Sequence, residues 1–175
     1  MRTTLLTLVC GGLALSGAPA AAQQAPPKPG PEHKMLQRFE GDWDATVAMA
    51  GAESKATAKY KMGLGGFWLS QDFKGEFGGQ KFHGKGTTGY DPLRKKYVST
   101  WTDSMSPTLI VMEGKFDKDG KTYTETGEGP GMDGKLTKLK SVLRFKDKDT
   151  LLFTMYTVQN GEEQEMMKIT YRRKK

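Results

Sequence analysis

The run Lys138-Leu139-Lys140-Ser141-Val142-Leu143-Arg144-Phe145-Lys146 decides the fold. In an extended chain Leu139, Ser141, Leu143 and Phe145 fall on one side, and Lys138, Lys140, Arg144 and Lys146 on the other. A period of two is the mark of a half-buried strand, because successive Cβ atoms point to opposite faces of a sheet. The same alternation recurs outward from this run. Trp43, Ala45, Val47 and Met49 oppose Asp42, Asp44 and Thr46; Ala56, Ala58, Tyr60 and Met62 oppose Lys55, Thr57, Lys59 and Lys61; Met167, Ile169 and Tyr171 oppose Lys168, Thr170 and Arg172. One dry face and one wet face is the pattern of antiparallel sheet.

Turn chemistry separates these runs at short intervals. The signals are Gly51-Ala52-Glu53, Gly63 to Gly66, Gly78-Gly79, Asp91-Pro92, Ser106-Pro107, Asp117 to Gly120, Gly129 to Gly134, Asp147-Lys148-Asp149 and Asn160-Gly161. Asn-Gly and Asp-x-Asp-Gly are specific hairpin signals. They divide the region after Gly41 into about ten short strands. No segment offers a crossover helix, so a parallel sheet is not expected. Uniform hairpin connections favour an all-β, up-and-down antiparallel barrel over a sandwich, since closure removes the sheet edges. Gly75, Gly84, Gly86 and Gly114 inside strand patterns fit the bends that closure needs. Before the strands, Pro31 to Phe39 reads as a short helix opened by proline and stopped by Gly41, with Met35, Leu36 and Phe39 as its apolar stripe.

The 175-residue chain carries 27 Lys and Arg against 20 Asp and Glu, a formal charge of +7, with one Cys and two His. This is material for one domain. A single cysteine excludes an internal disulfide framework and cysteine-cluster metal sites. His33 and His83 are too few for a three-histidine metal centre. The basic residues are spread as outward lysines rather than gathered with stacking aromatics, so nucleic acid is not an expected partner.

Residues 1–22 read as a secretory signal: Arg2, a short apolar run from Leu5 to Leu15, and the small-x-small sites Ala18-Pro19-Ala20 and Ala20-Ala21-Ala22. Cleavage after Ala22 removes Cys10 and places the mature chain, without a transmembrane segment, in a bacterial periplasm. Residues 23–31 form a proline-rich leader, and residues 32–175 the barrel domain.

The short helix followed by Gly41-Asp42-Trp43 resembles the opening of calycins, the superfamily of lipocalins and fatty-acid-binding proteins. Leu64-Gly65-Gly66, Gly84-x-Gly86 leading to Gly89-Tyr90-Asp91, Ser99-Thr100-Trp101-Thr102-Asp103, Glu113-Gly114 and Ile169-Thr170-Tyr171 follow in order. Together with Pro31-Glu32-His33-Lys34 they resemble the bacterial family called domain of unknown function 1579, from about Pro31 to Arg173. The resemblance implies a calycin-like barrel and no particular activity. It also implies that Trp43 plugs one end, under a basic residue from Tyr171-Arg172-Arg173. Related nitrobindin-type barrels hold haem through a histidine near the C-terminus; no histidine follows His83, and no cofactor is expected.

A barrel of this kind encloses a small apolar molecule or is filled by its own side chains. With the apolar face inward, the lining includes Tyr60, Phe73, Tyr97, Trp101, Met112 and Tyr156, with Met62, Phe82 and Phe145. Gln71 and Asp103 share those faces, as do Thr88, Ser99, Glu128, Ser141 and Thr154. The expected ligand-binding set is Tyr60, Gln71, Phe73, Tyr97, Trp101, Asp103, Met112 and Tyr156. Asp103 also suits a turn cap. Two other classes stay open: an enzyme using Asp103, Glu128 or Tyr156 as acid and base, and an envelope interaction module with a filled interior. His33 is read as a capping or packing residue. Gly84-x-Gly86-x-x-Gly89 precedes another strand rather than a helix and has no phosphate-binding context.

Overall fold

The computed structural model describes residues 27–131 and 133–175. The expected signal segment and residues 23–26 of the leader lie outside the described residues. One helix, α1 (Pro31–Gln37), precedes ten strands: β1 (Gly41–Met49), β2 (Ala52–Gly63), β3 (Trp68–Phe77), β4 (Gln80–Asp91), β5 (Lys96–Asp103), β6 (Ser106–Phe116), β7 (Thr122–Pro130), β8 (Leu136–Phe145), β9 (Thr150–Gln159) and β10 (Glu162–Arg173). Each strand pairs antiparallel with its sequence neighbour, and β1 closes on β10. The result is the closed up-and-down barrel that the alternation predicts.

The hairpins divide between two ends. At one end Ala50-Gly51, Gly78-Gly79 and Asn160-Gly161 all take positive φ at both positions, as tight hairpins matched to strand twist require. This end is the mouth. The β5–β6 reversal here comes at Ser104-Met105, not at Ser106-Pro107. The Asp103 carboxylate accepts the N–H groups of Met105 (2.9 Å) and Ser106 (3.0 Å), so the chain turns early and Ser106 already belongs to β6.

The other end is plugged. Helix α1 is too short to stand alone and is held by what it covers. Leu36 and Phe39 are buried, and the Phe39 ring meets Tyr60, Phe116 and Phe145 at centroid distances of 5.9, 6.4 and 4.8 Å. Tyr97 donates its hydroxyl to the Glu32 carbonyl at 3.0 Å. His33 both caps and packs: Nδ1 accepts the Gly30 N–H at 3.0 Å, and the ring stands edge-on to Phe67 at 5.3 Å. Trp43 is 0% exposed and donates its indole N–H to the Phe39 carbonyl at 2.8 Å. The guanidinium of Arg173 lies 4.1 Å over that indole, so Arg173 is the basic residue the resemblance implied.

The strand glycines divide by use. A Cβ on Gly114 would stand 2.2 Å from the Thr124 carbonyl, and one on Gly127 would stand 2.3 Å from the Val111 carbonyl. There β6 and β7 coil past each other too closely for a side chain. Gly84 and Gly86 are not bends. A Cβ on Gly84 would stand 2.2 Å from the Trp101 ring, so this bare stretch of β4 is a seat for the indole.

Candidate functional site: the barrel lumen

The lumen runs from the Trp43 plug to the mouth, and register shows which residues face it. Opposite Ala58 stands Phe73, opposite Tyr60 stands Gln71, and opposite Ser99 stands Met112. Tyr97, Ser99, Trp101 and Asp103 share one side of β5; Thr88 faces Ser99 from β4. Of the expected set, Tyr60, Gln71, Phe73, Tyr97, Trp101, Asp103 and Met112 therefore line the interior or its rim.

Tyr156 does not. On β9 the inward side is carried by Leu151, Phe153 and Met155, which pair with Tyr171, Ile169 and Met167. Tyr156 pairs with Lys140 and Glu165 on the outer face, and Thr154 pairs with Val142 and Lys168 there. The segment Leu151 to Tyr156 is apolar on both sides, so alternation could not choose. Glu128 is likewise exposed, opposite Lys138. Asp103, Glu128 and Tyr156 thus do not converge, and the expected acid–base set is not assembled.

Near the mouth the wall is aromatic. Phe73 meets Phe82 edge-on at 5.9 Å, Phe82 stacks on Trp101 at 6.5 Å, and Phe77 meets Phe82 at 5.1 Å. The Trp101 indole N–H donates to Asp103 at 3.0 Å, while the same carboxylate caps the turn. Asp103 is therefore both the turn residue and the clamp that fixes the indole on Gly84. Phe77, Phe82, Trp101, Ile110, Met155 and Met167 are only half-buried.

Deeper in, the wall is polar in two places. On β2, β3 and β10 the Tyr60 hydroxyl donates to Tyr171, whose oxygen also accepts from Gln71. Burial pushes the Tyr171 hydroxyl up to about 12, and Tyr60 is raised well above the usual phenol value by burial and then by Tyr171. On the opposite wall lies Glu125, 6% exposed, a residue sequence reasoning missed. Tyr123 donates to its Oε1 at 2.5 Å, Ser141 donates to its Oε2 at 3.2 Å, and Ser99 donates to the same carboxyl. Burial raises the Glu125 pKa; the three hydroxyls pull it down, and burial prevails. Burial and the neighbouring Glu125 charge also raise Tyr123. The signal for Glu125 was parity with Tyr123 two residues earlier. Strand β7 offers only that one bulky apolar residue, so its faces were not separable by hydropathy.

Among the described residues, no group of three His, Cys, Asp or Glu side chains gathers to hold a metal ion. No helix among them is long and apolar enough to cross a membrane. Two open surface concavities, of about 580 and 540 Å³, lie against the outer side of β1, β2 and β10 and beneath the plugged end. The first is lined by charged residues, threonines and alanines and the second largely by charged residues, and the aromatic mouth belongs to neither.

These features define a calycin-like barrel, plugged by tryptophan and arginine at one end and aromatic at the other. The chain belongs to the family described as Protein of unknown function (DUF1579), whose model matches residues 28–173. Among solved structures, the crystal structure of Rv2717c from M. tuberculosis is similar, with a TM-score of 0.61 and 14% identity over 83% of this chain and 99% of that one. The S-type phycobiliprotein lyase CPES from Guillardia theta is also similar, with a TM-score of 0.56 and 13% identity over 81% of this chain and 92% of that one. At such identities the likeness is one of fold. No curated protein matches the chain.

Proposed function

We propose that this protein is an exported carrier that holds a small, mainly apolar molecule in its barrel, taken in through the aromatic mouth. One observation carries the reading. Every strand is paired on both edges, yet Phe77, Phe82, Trp101, Met155 and Met167, inward side chains toward the mouth, are only half-buried, beside buried Phe73, Leu139 and Thr157. Inward groups between doubly paired strands gain exposure from the lumen side. Interior diameter grows with strand number, and eight strands already hold one small ligand in known barrels, so ten leave room. Apolar walls with a few fixed polar groups are the usual lining of small-molecule sites. The fold is shared with a protein named as a phycobiliprotein lyase. Export rests on the signal features of residues 1–22.

Native mass spectrometry of the protein purified from a bacterial periplasm tests both parts. The expected polypeptide mass begins at Gln23. The expected complex carries a stoichiometric adduct that leaves on denaturation, and the neutral probe N-phenyl-1-naphthylamine competes for its place. A cytoplasmic, uncleaved chain would overturn export. A folded protein that carries no adduct and gives no probe fluorescence would overturn the carrier.

A further inference from the structure

Glu125 accepts from Tyr123 and Ser141 and is the one buried carboxyl among the described residues. Above Trp43, the strand positions that face the lumen among the described residues carry no Lys, Arg or His; the other acids of that parity, Asp103 and Glu162, sit at the rim, and Asp103 is spent on Trp101 and the turn. The outer surface has the opposite sign, since the chain as a whole is +7. An ionised carboxylate has about four acceptor positions. Tyr123, Ser141 and Ser99 take three of them at Glu125, which leaves room for one more donor. Across the lumen, the Tyr60–Tyr171–Gln71 chain supplies neutral polar groups, and Glu125 lies close enough to Tyr60 to act on it through charge.

We infer that the lumen selects an amphiphile with a hydrogen-bond-donating cationic head, such as a protonated amine seated against Glu125, and rejects the carboxylate head of a fatty acid. This rests on the carrier reading. The reason is the low-dielectric interior, where a buried charge needs an opposite partner. An ammonium head finds one in Glu125. A carboxylate head finds a second carboxyl and no base. Hydrogen bonds to a charged group are worth enough to separate the two heads by about tenfold or more in affinity.

The test is displacement of N-phenyl-1-naphthylamine from the mature protein by dodecylamine and by dodecanoate, which differ in head but not in chain length. Dodecylamine should displace the probe at a concentration roughly tenfold lower than dodecanoate. The basic exterior favours the anion, so a preference for the cation has to come from within. Glu125→Gln should abolish the preference, with each head's displacement referred to that variant's own probe affinity. Ser141→Ala, which keeps the charge, should retain it, and the wild-type comparison stands even if Glu125→Gln does not fold. Equal or tighter displacement by dodecanoate would overturn the inference alone, as would a preference that survives Glu125→Gln. Failure of the folded wild type to bind the probe would overturn the carrier reading and this inference with it.

Discussion

Replacing Arg173 with alanine should unlock the plugged end. The guanidinium sits 4.1 Å over the Trp43 ring and donates to the carbonyls of Arg38 (2.9 Å), Lys148 (3.3 Å) and Glu40. It thereby ties the end of β10 to the α1–β1 connection and to the β8–β9 turn. Its ion pair with Asp149, at 3.5 Å and half open to solvent, adds little. The cation–π contact is worth about 1 kcal/mol. Charged hydrogen bonds are worth about 1.5–3 kcal/mol each when buried, and less here because the site is partly wet. Alanine also leaves carbonyls to find water. The expected loss is about 2–4 kcal/mol, which at this chain size lowers Tm by roughly 5–15 °C. Arg173→Lys should recover less than half, because a single ammonium lacks the planar fork that reaches several carbonyls and stacks on the indole. The assay is urea unfolding followed by tryptophan fluorescence, with calorimetry beside it. Gly41 offers an internal check: its φ is +125° and a Cβ there would stand 2.7 Å from the Arg173 guanidinium. The double variant Gly41→Ala/Arg173→Ala should therefore cost less than the sum of the singles. An Arg173→Ala loss under about 0.5 kcal/mol, the range of ordinary surface changes, would refute the argument.

Three further outcomes follow from the lumen. Burial holds the Glu125 pKa above its ordinary value of 4.5, so its carboxyl contributes stability below that pH and loses it as pH rises through the folded pKa; Glu125→Gln should gain on the wild type as pH rises from 4.5, and a constant gap between their urea midpoints would count against this. Gly114→Ala should destabilise more than Gly84→Ala, because the first meets the backbone carbonyl of Thr124 and the second a displaceable Trp101 ring; Gly84→Ala alone should alter Trp101 emission, and the reverse order in thermal melts would contradict the placement. Tyr171→Phe should cost about 1 kcal/mol by leaving Tyr60 and Gln71 without their shared acceptor; chemical denaturation showing no loss would mean the chain of hydroxyls is not closed.

Much of this was legible in particular residues. The resemblance carried by Gly41-Asp42-Trp43 after a short helix implied that Trp43 is a plug. Alternation on β1, β2 and β8 pointed inward correctly because each has one apolar and one charged face. It failed on β9, where Leu152, Thr154 and Tyr156 are no more polar than Leu151, Phe153 and Met155, and on β7, where threonines and glycines carry no hydropathic contrast. One slip of parity moves every side chain on a strand to the other face. Such a slip puts Tyr156 and Glu128 on the inner face in a sequence reading and hides Glu125.

What the sequence alone determined is local: an all-β meander, the positions of most hairpins, the proline-opened helix, and the tryptophan that begins β1. These follow from periodicity and turn chemistry, which act over a few residues. The tertiary structure decided the rest. Closing β1 on β10 fixed the inner face of every strand at once. Closure placed Arg173 over Trp43, laid Trp101 on Gly84, and gathered Ser99, Tyr123 and Ser141 around a buried glutamate. Residues from β5, β7 and β8 meet there only because ten strands share one interior. Burial is a property of that shared interior, and no single strand carries it in its own pattern.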